Sequence, residues 1–427
     1  PAWTEASGPR SSSLMTPAFA TLANVALPDD ILRCIYWHVQ EGKGALDAPR
    51  VLRHRVLCCA FNFVLPGTVR RVALSAAHLV ESNATALATR LFAAWTRNTD
   101  PTRSFSSVGS RAMAKSWCAA QLPVSLTHLR LHYCYIGVED TRVLCANLPL
   151  VLQELDLAHN NIGNRGATAL ALRLSVMSSL TCLNLDYNAI TSTGCTALAH
   201  SLPKSLARLV FRGNRVGDGG VTALAPTLSV SSLRYLDVRS CGIEVGGAEL
   251  LTSNLPASLE HLFVCGNDME DDRFVRALHG RADLLSSLVR LDLGPIECYE
   301  KPRVLAALIA KLCRLTDLDV HENALGDDGV TALLPNLPKS LYRVNLSQLG
   351  ASNSIVWTLQ LPLLTHLYLW DNDIEDVGAN TLVCTSDLRA LKHLDLSHNI
   401  IKAESDGIFT QLPATLRGLD LSANCIH

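Results

Sequence analysis

Aromatic residues and charge of one sign are both scarce in this 427-residue chain. Phenylalanine, tryptophan and tyrosine make up 5% of it, charged residues make up 18%, and the formal net charge is −2. Nucleic acid or an acidic membrane surface would require a basic patch, so we expect neither kind of partner. No apolar run reaches the roughly 18 residues of a membrane-spanning helix.

Cysteine is more plentiful, but its spacing follows no metal-binding or redox pattern. The 14 cysteines include no CxxC pair and no cysteine–histidine cluster at zinc-finger spacing. We therefore expect no metal site, no cofactor and reduced thiols. Reduced thiols without a recognisable secretory signal favour a cytoplasmic or nuclear location.

What the chain does contain is a repeat, the pattern L-x-x-L-x-L-x-x-N. Consecutive copies are spaced by 23 to 29 residues, and their first leucines are Leu126, Leu152, Leu180, Leu206, Leu233, Leu259, Leu288, Leu315, Leu341, Leu364, Leu391 and Leu416. In the second copy Leu155 and Leu157 alternate with polar residues, which predicts a short strand with its leucines on one buried face. Asn160 then ends the strand, and its amide is suited to satisfy backbone groups at the turn. Cys134 and Cys241 take the asparagine position in two copies.

A second signal recurs in register with the leucines. A glycine lies 14 residues after the first leucine in six copies, at Gly166, Gly194, Gly220, Gly247, Gly329 and Gly378. A helical pattern follows it, so this glycine allows either a turn or a close approach where an outer helix starts. Many of these helices end in Leu-Pro, because proline disfavours helix at the residue before it.

Strand, asparagine turn, glycine and outer helix together resemble the ribonuclease-inhibitor subclass of leucine-rich repeats over residues 123–427. The resemblance implies an α/β solenoid, a horseshoe with a concave parallel sheet and convex helices. Three copies depart from the pattern: Gly294-Pro295-Ile296 and Leu349 replace the asparagine turn, and a 23-residue spacing before Leu364 predicts a shortened outer helix. Solenoids generally end in a polar capping unit, and none follows the twelfth strand. We expect the natural protein to continue, or a partner to cover this end.

The amino-terminal residues do not follow the repeat pattern. Residues 1–24 are expected to be a disordered tail, and residues 25–66 a small helical segment. Its opening L-P-x-x-I-L and a second amphipathic helix over residues 51–63 resemble an F-box, which docks on the small adaptor of a cullin-RING ubiquitin ligase. By that resemblance the docking residues would be Leu27, Pro28, Ile31, Leu32 and Ile35. The alternative is a plain helical cap on the solenoid.

Residues 67–122 are expected to hold one degenerate repeat strand and a loop. The strand is predicted at residues 69–74, from V-R-R-V-A-L, and the loop at residues 97–117, which lack a clear periodicity.

Candidate contact positions follow from the alternation of the repeat strands. Residues flanking the buried leucines face the concave side, and aromatic residues and arginine are the strongest anchors of protein interfaces. These positions are Tyr133, Tyr187, Arg212, Tyr235, Arg239, Phe263, Arg343, Tyr368 and Trp370, with Tyr368 and Trp370 as the first patch to test.

Aspartate and histidine also recur along this face. One strand position holds Asp156, Asp237, Asp292, Asp319, Asp395 and Asp420, which we interpret as a repeat consensus and not as a metal or catalytic array. The histidines lie on separate strands without a paired acid or nucleophile, so we predict no catalytic residue and no enzyme activity.

Three functions remain open. The first is a protein-binding module that acts as substrate receptor of a cullin-RING ubiquitin ligase. The second is a scaffold, sensor or inhibitor without a ubiquitin role. The third is a GTPase activator resembling the Ran-activating proteins, although these carry a strongly acidic tail that is missing from this sequence.

Overall fold

A computed structural model gives the fold of the chain. The structure describes residues 124–269, 272–295, 302–356, 359–384, 388–402 and 412–426, with positions 118 and 122 and three strands nearer the amino terminus. The chain divides into two units, residues 1–160 and residues 161–427. Each unit is described by itself.

The first unit holds a small mixed sheet. Its strands are β1 (Cys58–Asn62), β2 (Val72–Ser75), β3 (Ser104–Ser107), β4 (His128–Arg130) and β5 (Glu154–Asp156), and helix α1 spans Val138–Asn147. Strand β1 pairs antiparallel with β2 and β3, whereas β3–β4 and β4–β5 are parallel. The parallel repeat pattern therefore begins at β3.

Parts of the amino-terminal prediction were wrong. Cys58–Asn62 forms a strand where a helix was predicted over residues 51–63, and Ser104–Ser107 forms a strand within the predicted loop. Strand β2 overlaps the expected degenerate strand but pairs antiparallel with β1, not in parallel as a repeat strand would. A short apolar run fits a helix and a buried strand equally well, and only the neighbouring strand decides between them.

The second unit is a repeating α/β solenoid whose strands lie side by side in chain order. The strands are β6 (Cys182–Asn184), β7 (Arg208–Val210), β8 (Tyr235–Asp237), β9 (His261–Phe263), β10 (Arg290–Asp292), β11 (Asp317–Asp319), β12 (Arg343–Asn345), β13 (His366–Tyr368), β14 (His393–Asp395) and β15 (Gly418–Asp420). They pair in parallel with their central residues in register, as Leu209 with Leu236. From β6 to β14 these central residues, which are leucines apart from Val344, are buried, as the predicted alternation requires. Leu419 of the last strand, β15, is half-buried.

Outer helices connect the strands. They are α2 (Gly163–Leu174), α3 (Ser192–Ala199), α4 (Gly217–Ser229), α5 (Val245–Asn254), α6 (Arg273–Arg281), α7 (Pro302–Lys311), α8 (Gly326–Leu333) and α9 (Asp376–Cys384). From α2 to α8 each packs against the next. Helix α5 ends at Asn254 because the following Leu255, which precedes proline, is extended.

The recurring glycine serves close packing between these helices. Gly220 lies inside α4, and a Cβ at this position would come within 3.2 Å of the Cβ of Cys195 on α3. It would also lie 2.5 Å from a methyl group of Val216. The sequence left open whether this glycine allows a turn or a close approach, and at Gly220 it allows two helices to approach closely.

Asparagine side chains join consecutive repeats. The side-chain oxygen of Asn214 accepts hydrogen bonds from the backbone N–H groups of Asn188 (3.1 Å) and Ile190 (2.9 Å) in the preceding repeat. Its amide donates to the carbonyl oxygens of Leu185 (2.8 Å) and Phe211 (2.7 Å). Asn214 is 2% exposed, so it satisfies four backbone groups where water is excluded.

Cysteine performs part of this role at position 241. The Cys241 thiol donates to the carbonyl oxygen of Phe211 in the preceding repeat at 3.3 Å, in place of an asparagine amide. Its backbone N–H donates to the side-chain oxygen of Asn267 at 2.9 Å. Burial raises the pKa of this thiol, so it stays protonated and able to donate.

The shortened connection before Leu364 is confirmed. In the described part of this segment a 3₁₀-helix, Asn353–Val356, takes the place of an outer α-helix. The asparagine position of the preceding copy holds Leu349, which is fully buried. Its backbone N–H still donates to the side-chain oxygen of Asn372 at 3.1 Å, so the link to the next repeat is kept.

The helices of the described part of the chain are short. None of them is both long and apolar enough to cross a membrane.

Candidate protein-binding surface

Strand alternation in the second unit leaves one side of the sheet open to solvent. In each three-residue strand the central residue points into the core, and the first and third residues point to the other side. The chain around β8 shows the alternation, since Leu236 and Val238 are buried whereas Tyr235 and Arg239 are partly exposed. We call this side of the second unit the exposed sheet face.

A group of aromatic and arginine side chains lies on four adjacent strands of this face. The Arg208 guanidinium lies 3.5 Å from the centre of the Tyr235 ring, which is a cation–π geometry. The Tyr235 ring centre lies 4.9 Å from that of Phe263 and 5.5 Å from that of His261. The Arg290 guanidinium covers Phe263 at 4.8 Å. We call these five residues the aromatic–arginine cluster.

Acidic neighbours fix two arginines, Arg239 beside the cluster and Arg290 within it. Arg239 makes two hydrogen bonds to the Asp237 carboxylate, at 2.6 and 3.0 Å, and its guanidinium lies 4.9 Å from the Phe263 ring centre. Burial opposes the charge on Arg239, but the hydrogen bond and charge of Asp237 outweigh it and raise its pKa. Arg290 pairs with Asp317 at 3.3 Å. Bonded in this way, both guanidinium groups are held in place before a partner arrives.

Arg208 differs from these two arginines. It is exposed, and among the described residues it has no carboxylate within ion-pair distance. Burial raises the pKa of the neighbouring Tyr235 and lowers the pKa of His261, so both rings stay uncharged near neutral pH. Arg208 therefore offers a free positive charge at the edge of an uncharged aromatic patch.

The predicted contact residues are not gathered in one place. Tyr235 belongs to the cluster, and Arg239 borders it. Phe263 lies within the cluster and is only 2% exposed, with the Arg239 and Arg290 guanidinium groups beside its ring, so it supports the surface from beneath. The Arg212 guanidinium lies 5.6 Å from the Tyr187 ring centre, at the turns after β6 and β7.

The patch first selected for testing lies further along the same face. The Arg343 guanidinium lies 4.8 Å from the Tyr368 ring centre, and Trp370 follows on the same repeat, half-buried. Tyr133 belongs to the first unit, where its ring stacks on that of His159 at 4.0 Å. The adaptor-docking candidates Leu27, Pro28, Ile31, Leu32 and Ile35 lie outside the described residues.

Sequence reasoning missed two groups of residues. Arg208, His261 and Arg290 occupy the first position of their strands and complete the cluster through the lateral register of β7 to β10. Asp292, Asp319 and His321 also come together, with ligand-type atoms all within 4.8 Å of one another. A column-by-column comparison of the repeats would have found both groups.

The electrostatics of this second group are unusual for the exposed sheet face. The His321 ring nitrogen Nδ1 lies 2.6 Å from a carboxylate oxygen of Asp319, and this hydrogen bond raises the pKa of His321. Burial opposes the charge on Asp319, but the bond to His321 outweighs it and lowers its pKa. Burial, followed by the like charge of Asp319, raises the pKa of Asp292.

Comparison with known proteins agrees with this architecture. Residues 362–426 match a family model described as "Leucine rich repeat". A second model, "Leucine Rich repeat", matches residues 150–171, 176–199, 203–225, 231–251 and 311–334. The chain is a leucine-rich-repeat protein. Leucine-rich repeats imply protein binding, and this is the function that the matches indicate for the chain.

Two curated relatives illustrate the subclass. Ribonuclease inhibitor of Sus scrofa is 29% identical over 265 residues, which cover 58% of this chain and 52% of that protein. "NACHT, LRR and PYD domains-containing protein 5" of Homo sapiens is 29% identical over 272 residues, covering 58% of this chain and 22% of that protein. The chain thus spans about half of the first relative and about a fifth of the second. Its repeats are of the ribonuclease-inhibitor-like kind.

A solved structure shares the fold. A chain of the crystal structure of the Rad7 and Elc1 complex in yeast superimposes with a TM-score of 0.55 at 17% sequence identity. The match covers 79% of this leucine-rich-repeat protein and 88% of that chain. At this identity the likeness concerns the fold alone.

Proposed function

We propose that this chain binds a protein partner on the exposed sheet face, with the aromatic–arginine cluster at the centre of the interface. The observation that carries the proposal is the packing of Arg208 and Arg290 against Tyr235, His261 and Phe263 on neighbouring strands. Arginine and tyrosine are enriched among the residues that dominate binding energies. The free charge of Arg208 favours an acidic group on the partner.

The proposal predicts that partner capture depends on the cluster. With the protein immobilised and its bound proteins quantified, Arg208→Ala combined with Tyr235→Ala should reduce retention of the partner about 30-fold or more. This is the loss expected when an interface hot spot worth about 2 kcal/mol is removed. Circular dichroism should show an unchanged fold, because both side chains lie on the surface of the sheet.

Tyr342→Ala is the matched control for this experiment. Tyr342 is 51% exposed and belongs to a repeat four strands away from Tyr235. The control should retain the partner at the wild-type level. Equal retention by the wild type and the folded double variant would show that the interface lies elsewhere.

We further propose that the amino-terminal segment docks this module onto a ubiquitin-ligase adaptor, which would make the chain a substrate receptor. The L-P-x-x-I-L pattern at residues 27–32 supports this proposal. The second helix of the F-box resemblance is weakened as support, since part of it forms strand β1. A scaffold, sensor or inhibitor without a ubiquitin role is the alternative.

Co-purification separates the two functions. The wild-type chain should retain the small cullin-RING adaptor, and Leu27→Asp combined with Ile31→Asp should abolish retention by placing charges on an apolar docking surface. Leu22→Asp, in the expected tail, should leave retention unchanged. Failure of the wild type to retain the adaptor would rule out the receptor role and leave the protein-binding module.

A further inference from the structure

The group formed by Asp292, Asp319 and His321, which we call the Asp–His cluster, lies on two adjacent strands. The register pairs Asp292 of β10 directly with Asp319 of β11, so both carboxylates extend from the same face of the sheet. His321 follows two residues after Asp319 and therefore extends from that face too. One ligand-type atom from each of the three lies within 4.8 Å of the other two.

Gly294 makes room for the histidine. In the repeat that contains β10, Gly294 occupies the position that His321 occupies in the repeat of β11. This is the copy where Gly294-Pro295 departs from the repeat pattern. A Cβ at Gly294 would come within 2.9 Å of the Cε1 atom of His321 and would collide with the Cβ of Cys265. Because Gly294 has no side chain, His321 and Cys265 can both lie beside the carboxylates.

The charges around the cluster are not balanced. The Asp292 side chain is 6% exposed and lies beside the Asp319 carboxylate, with the Arg239 guanidinium 3.5 Å away. Arg239 already makes two hydrogen bonds to Asp237, at 2.6 and 3.0 Å. The Arg239 guanidinium is thus shared between the Asp237 and Asp292 carboxylates, and Asp319 adds another carboxylate beside Asp292. Close like charges of this kind are stabilised when a cation joins them.

The next strand adds a polar group without a partner. Ser347 takes the position on the β12 repeat that His321 takes on the β11 repeat, and it is fully buried. Within the described residues, its hydroxyl oxygen makes no hydrogen bond. A buried hydroxyl of this kind is normally satisfied, so the neighbourhood of His321 has unused hydrogen-bonding capacity.

We propose that Asp292, Asp319 and His321 form a binding site for Zn²⁺ or a similar divalent transition-metal ion. Two carboxylate oxygens and one imidazole nitrogen are donors that such ions accept, whereas Ca²⁺ takes six to eight oxygen ligands. Binding of the ion would release to solvent the proton that joins Asp319 to His321, and the two atoms, 2.6 Å apart without the ion, would separate to admit it. Three protein ligands leave a coordination position open, which a carboxylate or imidazole of a bound protein could fill.

The Cys265 thiol is a neighbour of this site and not one of its three ligands. Burial raises the pKa of this thiol to about 12, and both the negative charge of Asp292 and a hydrogen bond to that residue contribute to the rise. It therefore remains a thiol near neutral pH, and thiolate is the form that binds metals. The thiol donates its hydrogen to the Asp292 carboxylate and helps to orient it.

The experiment is a Zn²⁺ titration of the full chain, stripped of metal with a chelator, against a competing chromogenic indicator. The wild type should bind one more equivalent than His321→Ala and Asp319→Asn, or bind that equivalent at least tenfold more tightly. Exposed thiols such as Cys313 and Cys425 also bind Zn²⁺, but they are common to all variants, so the difference reports the site.

Asp395→Asn is the matched control. Asp395 takes the same strand position as Asp319, but Ser397 follows it where His321 follows Asp319. This variant should bind Zn²⁺ as the wild type does. Equal Zn²⁺ binding by the wild type and His321→Ala, or an equal loss in Asp395→Asn and Asp319→Asn, would overturn the proposal.

Thermal unfolding provides a second measurement that does not depend on counting equivalents. Zn²⁺ should raise the melting temperature of the wild type and of Asp395→Asn, because a ligand that binds the folded state stabilises it. His321→Ala, whose side chain is on the surface and whose fold can be verified by circular dichroism, should show no such rise. A rise of equal size in His321→Ala would contradict the site.

Discussion

Replacing Asn214 with alanine is expected to lower the free energy of unfolding by about 2–4 kcal/mol. The side chain satisfies two N–H groups of the preceding repeat and two carbonyl oxygens, all of them in the interior. Each buried backbone group left without a partner costs about 1–3 kcal/mol, and partial entry of water reduces the sum. Urea denaturation followed by circular dichroism measures the effect as a lower midpoint.

Asn254→Ala is the control for this prediction. Its amide donates to the carbonyl oxygen of Leu250 within one helix, at 2.8 Å, and does not bridge repeats. We expect a loss below about 1 kcal/mol, the usual contribution of one partly exposed hydrogen bond. Equal losses of unfolding free energy in the two variants would mean that the Asn214 side chain contributes no more than a hydrogen bond within one helix.

Truncation of a core leucine has the other large expected effect. Leu157 is fully buried in the first unit, directly after β5, and Leu157→Ala should cost about 2–5 kcal/mol. The loss combines the apolar area removed from the core with the cavity left behind, because a solenoid wall held by hydrogen bonds cannot collapse onto the gap. Equilibrium unfolding in urea is again the measurement.

Leu172→Ala tests whether burial is the cause. Leu172 lies on helix α2 with 76% of its surface exposed, so its truncation should change stability by less than about 0.5 kcal/mol. A loss below about 0.5 kcal/mol for Leu157→Ala as well would contradict its inward placement.

The repeats could be predicted because their determinants are local. Leu155 and Leu157 alternate within a few residues, and Asn160 marks the turn that follows, so one copy is enough to define the strand. Strand β1 could not be predicted in this way. Cys58–Asn62 is apolar enough for a helix or a strand, and its pairing with β2 and β3 decided the outcome.

The candidate site was only partly predictable for a related reason. Tyr235 was identified from its own strand, but the guanidinium that covers it comes from Arg208, 27 positions earlier in the chain. Likewise, Asp292 and Asp319 looked like independent copies of a consensus residue until the register placed them side by side. Contacts across strands depend on register, which a single copy of the repeat does not contain.

The hydrogen bonds made by each asparagine also determine which segment of this protein could be deleted or duplicated as a unit. The turn at Asn188 and Ile190 is satisfied by Asn214, so each strand and helix depends on the first residues of the copy that follows. Deletion or duplication of one whole repeat would place the turn before the junction next to the strand end of another copy, which carries the same kind of acceptor. In-frame gain or loss of whole repeats would therefore lengthen or shorten the solenoid without leaving a turn unsatisfied, whereas loss of part of a repeat would separate a turn from its acceptor.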